Sequence, residues 1–105
     1  MNTVIAKFFV GQMVHHKLFD YRGVILDVDP AYSGSETWYE KVAVSRPPKD
    51  KPWYHVLQDG SGGRTYVAER NLEPDPSSKP IHHPDLDDHF VGMNDGAYIL
   101  RRAGN

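Results

Sequence analysis

The sequence contains no cysteine. Without thiols the chain has no disulfide framework and no thiolate chemistry, and nothing in it favours an oxidising compartment. It also lacks a long apolar run, and its first residues, MNTVIAKFFVGQMV, have neither a basic n-region nor a small-residue cleavage site. We therefore expect no signal peptide, no membrane span and a cytoplasmic location.

An excess of positive charge is missing as well. The chain has 12 Lys and Arg against 14 Asp and Glu, for a formal net charge of −2. Residues 1–52 hold seven basic and six acidic side chains, whereas residues 53–105 hold five and eight. Because the global field does not attract a polyanion, nucleic-acid binding would have to depend on a local basic patch.

What the sequence does contain is a set of short strand patterns, within 105 residues that suit one domain. The segment Phe8–His16 predicts a first strand in which Gly11 marks a bulge or a close backbone contact. The segment YRGVILDVDP has the clearest alternation and predicts a second strand, which ends at Pro30 because proline cannot donate to a ladder. Its two faces are Val24, Leu26 and Val28 against Ile25, Asp27 and Asp29.

Three further patterns follow along the chain. In the long crossing of residues 31–52, Ser33 and Glu36 have the spacing of a capping box, which predicts a short helix or an ordered loop. The run WYHVLQDGSGGRTYVAE predicts a hairpin, since two β-rich runs flank a glycine-rich turn. RNLEPD then predicts a single helical or 3₁₀ turn.

These patterns together predict a mostly β fold, a small antiparallel barrel of the SH3-like kind over residues 1–73. The proline-rich residues 74–105 predict an arm that is partly ordered on the barrel. Because few of the arm's apolar residues are periodic, we expect its removal to leave the barrel folded. The residues expected in the core or at the closure are Val24, Leu26, Val56, Leu57, Tyr66 and Leu72.

Three groups of side chains raise the question of catalysis or metal binding. His55 is a catalytic base, a metal ligand or a strand residue, and without a nucleophile signature we interpret it as structural. Asp27 and Asp29 stand two apart as a glycosidase pair would, but Pro30 favours a strand-end turn. The arm segment HHPDLDDH is rich in ligands, yet it matches no standard zinc spacing. We predict no enzyme activity, no cofactor and no metal site.

Two binding surfaces are predicted. Lys49 and Lys51 enter the hairpin that Arg64 leaves, so we expect these cations to gather at one barrel end. No helix has the pattern that reads a major groove, and stacking surface would come from Trp53 and Tyr54. The candidate DNA-binding residues are Lys17, Arg22, Arg46, Lys49, Lys51, Arg64 and Arg70. The candidate partner-binding residues are Trp53, Tyr54, Arg101 and Arg102.

Five motifs in order resemble the HspQ/YccV-like family of bacterial heat-shock and hemimethylated-DNA-binding proteins. They are F-x-x-G-Q-x-V-x-H from Phe8, YRGVI with DVDP, E-x-W, P-W-Y-H-V-L-x-D-G and T-Y-V-A-E-x-N-L, which ends at Leu72. The resemblance implies a small β-barrel without catalytic activity that promotes degradation of denatured or unstable proteins, such as the replication initiator, with an ATP-dependent protease. Alternatively, it implies binding of hemimethylated DNA near the replication origin. The family and the many aromatic side chains also suggest self-association.

Overall fold

A computed structural model describes residues 5–43 and 45–101 of the chain, in seven strands and two short helices. The first five strands are β1 (Met13–His16), β2 (Arg22–Asp29), β3 (Trp53–Gln58), β4 (Arg64–Ala68) and β5 (Leu72–Pro74). Strands β6 (Phe90–Asn94) and β7 (Ala97–Leu100) follow near the end of the chain. The helices are α1 (Glu36–Val42) and α2 (Leu86–His89), and a 3₁₀ turn covers Glu69–Asn71.

The main sheet is antiparallel, with its five strands in the order β4-β3-β2-β1-β5, and β6 and β7 form a separate hairpin. The mostly β class, the end of β2 at Pro30 and the β3–β4 hairpin agree with the sequence. The predicted turn at RNLEPD is correct only in part, because the 3₁₀ turn covers Glu69–Asn71 and Leu72–Pro74 forms β5. Closure into a barrel is not confirmed, because β4 and β5 are the ends of the sheet order in the described part of the chain.

Helix α1 begins two residues later than the capping-box spacing suggested. Its N-cap is Ser35, whose Oγ accepts a hydrogen bond from the Trp38 backbone N–H at 3.0 Å. The prediction of Ser33 as the cap is wrong because the backbone N–H of Ser33 donates instead to the Tyr66 hydroxyl at 3.0 Å. This bond holds the chain in a loop until Ser35.

The inner face of the sheet encloses the first core cluster, which consists of Phe8, Val14, Ile25, Tyr54, Val56, Val67 and Leu72. The placement of Leu26 in the core is wrong in part, since Leu26 is only partly buried whereas Ile25 is fully buried. A β-bulge between Ile25 and Asp27 interrupts the alternation of β2 at this point. Both faces of β2 are covered, so its two sets of side chains are harder to distinguish by polarity.

The arm covers the opposite face of the sheet, where it builds a second core cluster of Met13, Val24, Leu57, Ile81, Phe90 and Tyr98. The Tyr98 hydroxyl accepts a hydrogen bond from the Ile81 N–H at 2.8 Å, so two parts of the arm are joined. The expectation that the arm contributes little core is therefore corrected. The domain boundary after residue 73 stays a prediction.

Gly11 is the point at which the arm approaches the sheet most closely. The Tyr98 N–H donates to the Gly11 carbonyl at 2.8 Å, and a Cβ at Gly11 would lie 2.1 Å from the Tyr98 oxygen. Gly11 also has φ +95°, a conformation that glycine adopts readily. The predicted close backbone contact at Gly11 is confirmed.

A third cluster fastens α1 to the outer face of β3 and β4. It contains Tyr39, Ala43, Trp53 and Ala68, with Tyr32, Trp38 and Tyr66 packed against it. The Trp53 indole N–H donates to the Pro48 carbonyl at 3.0 Å, so the polar atom of this buried ring is satisfied. In the described ranges, no helix is long and apolar enough to cross a membrane.

Candidate binding groove

A groove of about 840 Å³ runs along β4, and all five residues of that strand line it. Its rims carry four large apolar side chains that are more than half exposed: Leu18, Phe19, Val42 and Leu100. Leu18 and Phe19 come from the turn after β1, Val42 from the end of α1 and Leu100 from the end of β7. Three separate parts of the chain therefore leave apolar surface beside one strand.

The backbone of β4 is paired on one side only. Gln58 N–H donates to the Gly63 carbonyl at 2.9 Å, and Glu69 N–H donates to the Pro52 carbonyl at 3.1 Å. Hydrogen-bonded pairs alternate along an antiparallel ladder, so Thr65 and Val67 bond to β3. The N–H and C=O groups of Arg64, Tyr66 and Ala68 then point into the groove, and no hydrogen bond within the described part of the chain meets them.

The other end of the main sheet differs from this edge. Strand β5 has three residues and ends at Pro74, and both a short edge strand and a proline discourage pairing with another chain. Strand β4 has neither protection. It is the edge of the main sheet that is open to strand pairing.

His16 shapes the inner wall of the groove. Its Nδ1 accepts hydrogen bonds from the Leu18 and Phe19 N–H groups at 3.1 Å each, and its ring stacks on that of Phe19 at 4.8 Å. Burial, with a smaller effect from neighbouring His15, lowers the pKa of His16. A neutral His16 therefore holds the turn that presents Leu18 and Phe19.

At the outer wall, the lining residues His55 and Tyr66 share a hydrogen-bonding partner, Asp29, which the sequence patterns did not place beside them. His55 Nε2 lies 3.1 Å from Asp29 Oδ2, and the Tyr66 hydroxyl donates to the same oxygen at 2.7 Å. Burial and then the bond to Asp29 raise the pKa of Tyr66. His55 stands opposite Asp27 on one side and Tyr66 on the other. The signal for this grouping is the strand register, which sequence periodicity does not contain.

Asp27, Asp29 and His55 are the described residues whose ligand atoms lie close enough together, within 4.8 Å, to hold a metal ion. Asp29 already accepts two hydrogen bonds, and Asp27 Oδ1 accepts one from the Val28 N–H at 2.8 Å. The latter bond is the strand-end contact expected of an aspartate before Pro30. The interpretation of His55 as a structural strand residue stays a prediction.

The His- and Asp-rich arm segment contacts the β3–β4 hairpin. His83 Nε2 lies 3.0 Å from the Gly63 carbonyl oxygen, and Arg64 Nη2 lies 3.2 Å both from Asp85 Oδ2 and from His89 Nε2. The backbone N–H of His82 donates to Asp59 at 2.7 Å. These side chains hold the arm in place, and within the described ranges they form no group with metal-ligand spacing.

Four of the seven candidate DNA-binding residues are engaged in ion pairs. Arg22 pairs with Asp59 and Asp75, Arg46 with Glu40, Lys49 with Glu36, and Arg64 with Asp85. Within residues 5–43 and 45–101, Lys17, Lys51 and Arg70 have no carboxylate partner within 4.0 Å. The Arg70 guanidinium donates to the Ser45 carbonyl, and the Lys17 N–H donates to that of Asn71 at 2.8 Å.

The expectation that Lys49, Lys51 and Arg64 gather at one end is wrong. Arg64 pairs with Leu57 near the turn of the hairpin, whereas Trp53, which follows the two lysines, pairs with Ala68 at the other end. An antiparallel hairpin places the residue entering its first strand beside the residue leaving its second. The lysines and Arg64 are therefore separated by the length of the hairpin.

The candidate partner-binding residues occupy different environments. Trp53 and Tyr54 are 2% and 0% exposed, so both side chains pack inside the domain rather than face a partner. Arg101 is exposed and donates through Nε to the Asp87 carbonyl at 3.1 Å. Arg102 lies outside the described residues. A role for this set in partner binding stays a prediction.

Comparison with known protein families gives one finding. The family model described as "YccV-like: Hemimethylated DNA-binding protein YccV like" matches residues 6–97. The matched range reaches from before β1 to the first residue of β7, so it includes the groove walls at His16 and α1 and most of the arm.

Proposed function

The chain belongs to the YccV-like family, and from this membership we propose that it is a heat-shock and quality-control factor of the HspQ kind. In this role it promotes the degradation of denatured or unstable proteins, such as the replication initiator, by an ATP-dependent protease. It works in the cytoplasm, as a binding protein and not as an enzyme, and it uses no cofactor. Its main sheet is proposed to belong to a barrel of the SH3-like class.

The observation that supports this function best is the open β4 edge between apolar rims. A protein that has lost its native packing exposes apolar side chains and unpaired backbone groups at the same time. The groove offers a partner for both, since its rims are apolar and its floor is an unpaired strand. A folded protein, by contrast, buries its apolar side chains and pairs its backbone groups.

Binding of hemimethylated DNA is the alternative, and the family's description favours it. On this chain its support is a small basic area, because the Lys17 N–H bond to Asn71 and the Arg70 bond to Ser45 place these cations near one end of the groove. Arg46 follows Ser45 directly, although it is paired with Glu40. Few unpaired cations at this site predict a shallow dependence of affinity on salt.

The test is the degradation rate of a fluorescently labelled, destabilised protein by a purified ATP-dependent protease, with and without this chain. We expect acceleration by the native chain, and a loss of most of it in Phe19→Asp. Phe9→Asp is the matched control, because Phe9 is 56% exposed, as Phe19 is at 64%, but does not line the groove. Equal loss in both variants, or no acceleration by the native chain, would contradict the proposal.

The alternative is tested in parallel with hemimethylated and unmethylated duplexes of one sequence at several salt concentrations. If DNA binding is the function, Lys17→Glu with Arg70→Glu removes binding and Phe19→Asp leaves it intact. A preference for the hemimethylated duplex combined with no effect on the protease would favour the alternative.

A further inference from the structure

We propose that the β4 edge binds its partner by strand addition: an extended polypeptide segment pairs with β4 and becomes a sixth strand of the main sheet. This inference rests on the proposed function, since it specifies the form in which the groove takes a non-native protein. The added strand has apolar side chains at alternate positions and carries a carboxylate.

The backbone of β4 sets the first requirement. Arg64, Tyr66 and Ala68 direct their N–H and C=O groups into the groove, at every second residue, as an antiparallel or parallel partner strand requires. A helix satisfies its own backbone groups and cannot meet these. An extended segment can, and main-chain hydrogen bonds of this kind supply affinity that does not depend on sequence.

The walls set the second requirement. Thr65 and Val67 face the inner side of the sheet, where Phe19 stands, and Tyr66 and Ala68 face the outer side with α1. Successive residues of an added strand point to the two faces in the same alternation. Those on the inner side meet Leu18 and Phe19, and those on the outer side meet Val42 and Leu100.

The charges set the third requirement. Asp27 is the one acidic side chain among the described residues that line the groove, and Arg64, which also lines it, is already paired with Asp85. Lys17 and Arg70 adjoin lining residues His16 and Asn71 at the far end of β4 from Arg64. A segment with a carboxylate beside its apolar residues complements this field, and a basic segment opposes it.

A second folded copy of the chain fits this edge less well than a single segment does. Pairing β4 with the β4 of a copy would bring the copy's own Phe19 and Val42 walls against these, because the same rims accompany the strand. A flexible segment brings no such walls. The rims beside β4 therefore favour a single polypeptide segment in an extended, unfolded form.

The experiment measures backbone amide hydrogen exchange by NMR in the full chain, with a short peptide of alternating valine and threonine that ends in glutamate. At saturation, we expect the amides of Arg64, Tyr66 and Ala68 to exchange at least about tenfold more slowly. The amides of Thr65 and Val67 serve as internal controls, since they already bond to β3 and should change little.

A second measurement uses N-methylated versions of the same peptide. Methyl groups on alternate residues that face β4 should abolish binding, while methyl groups on the intervening residues should leave it nearly unchanged. The variant Ala68→Pro removes the Ala68 N–H that points into the groove, at a φ of −68° that proline can adopt. Peptide binding to this variant should be weaker than binding to the native chain. Replacing the glutamate of the peptide by lysine should weaken binding.

The outcomes separate this inference from the proposed function. Equal effects of both methylated series, or unchanged exchange at Arg64, Tyr66 and Ala68, would overturn strand addition even if the protease is still stimulated. Slow exchange at these amides that depends on protein concentration without peptide would mean a second copy and would also overturn it. Slower exchange with peptide but no effect on proteolysis would remove the adaptor function and leave the binding mode standing.

Discussion

Arg22 Nη2 lies 2.8 Å from Asp75 Oδ2, and this ion pair joins the start of β2 to the first residue after β5. The Asp75 side chain is only 3% exposed, and Arg22 also reaches Asp59 at 3.3 Å and the Lys79 carbonyl. Arg22, a candidate DNA-binding residue by its charge, thus joins the central strand β2 to the segment that follows β5. We therefore expect replacement of Arg22 to lower the stability of the fold.

Arg22→Met should lower the free energy of unfolding by about 3 kcal/mol, because it leaves the Asp75 carboxylate buried without its cation. Urea denaturation measures the effect, and Lys51→Met, at an exposed residue, serves as the control. An unchanged unfolding midpoint together with a loss of DNA binding would mean that Arg22 binds DNA and does not stabilise the fold.

The same pair predicts an acid dependence. Burial alone raises the pKa of Asp75, but hydrogen bonds from Arg22 and Ser77 outweigh it and hold the pKa below its ordinary value. The contribution of Asp75 to stability is therefore present above its ordinary pKa of 3.8 and is lost as pH falls through the lower folded value. When denaturation is measured at a series of acidic pH values, Arg22→Met should lose less stability on acidification than the native chain does.

Ile25→Ala should destabilise the chain more than Leu26→Ala does. Ile25 is fully buried in the inner core, so its truncation should cost about 2–5 kcal/mol, and that of the partly buried Leu26 about half as much. Chemical denaturation of the two variants side by side makes the comparison. The reverse order would mean that β2 runs through the bulge with its faces exchanged.

Phe90→Ala should cost about 3–5 kcal/mol, since Phe90 is 2% exposed against Met13, Val24 and Leu57. Val91→Ala, next to it and 57% exposed, should change stability by less than about 0.5 kcal/mol. A chain ending after residue 74 should then fail to fold cooperatively in a thermal melt. A truncated chain with a native-like spectrum would mean that the arm is not required for the rest of the domain to fold.

His15 and His16 are neighbours with opposite pKa shifts. Hydrogen bonds to Asp20 and Glu73, at 2.6 and 2.7 Å, raise the pKa of His15, whereas burial lowers that of His16. The contribution of His15 is present below its ordinary pKa of 6.5 and is lost as pH rises through the raised value. The contribution of neutral His16 to stability is present above its ordinary pKa of 6.5 and is lost as pH falls through its lowered pKa.

We therefore expect His15→Asn to destabilise the chain at mildly acidic pH and to have little effect at alkaline pH. Urea denaturation at several pH values tests this, and NMR titration of the two imidazoles tests the order of their pKa values directly. If His16 titrates above His15, the assignment of Nδ1 of His16 as the acceptor in the Leu18 and Phe19 turn is wrong.

Self-association, expected from the family and the aromatic content, has a candidate surface on the β6–β7 hairpin. Val91, Met93 and Ile99 are 57%, 38% and 45% exposed there. Sedimentation at increasing concentration should show a larger species, and Val91→Asp with Ile99→Asp should reduce it. Purely monomeric behaviour of the native chain would contradict this.

Sequence by itself determined the elements whose signals are local. The alternation in β2, its end at Pro30, the glycine-rich turn between β3 and β4 and the 3₁₀ turn all follow from side chains within a few residues of one another. The β6–β7 hairpin has a local signal as well, since Asp95 and Gly96 both have positive φ and Asp-Gly is a strong hairpin signal, although this hairpin was not among the predicted elements.

Only the tertiary structure decided what lies against what. The burial of Ile25, the arm residues Phe90 and Tyr98 in the core, and the meeting of His55 with Asp29 and Tyr66 depend on residues far apart in the chain. The groove also depends on residues far apart in the chain, since its rims come from a turn, a helix end and the last strand. A strand pattern specifies which side chains share a face, but pairing register and coverage by distant segments decide which face is buried and which edge stays open.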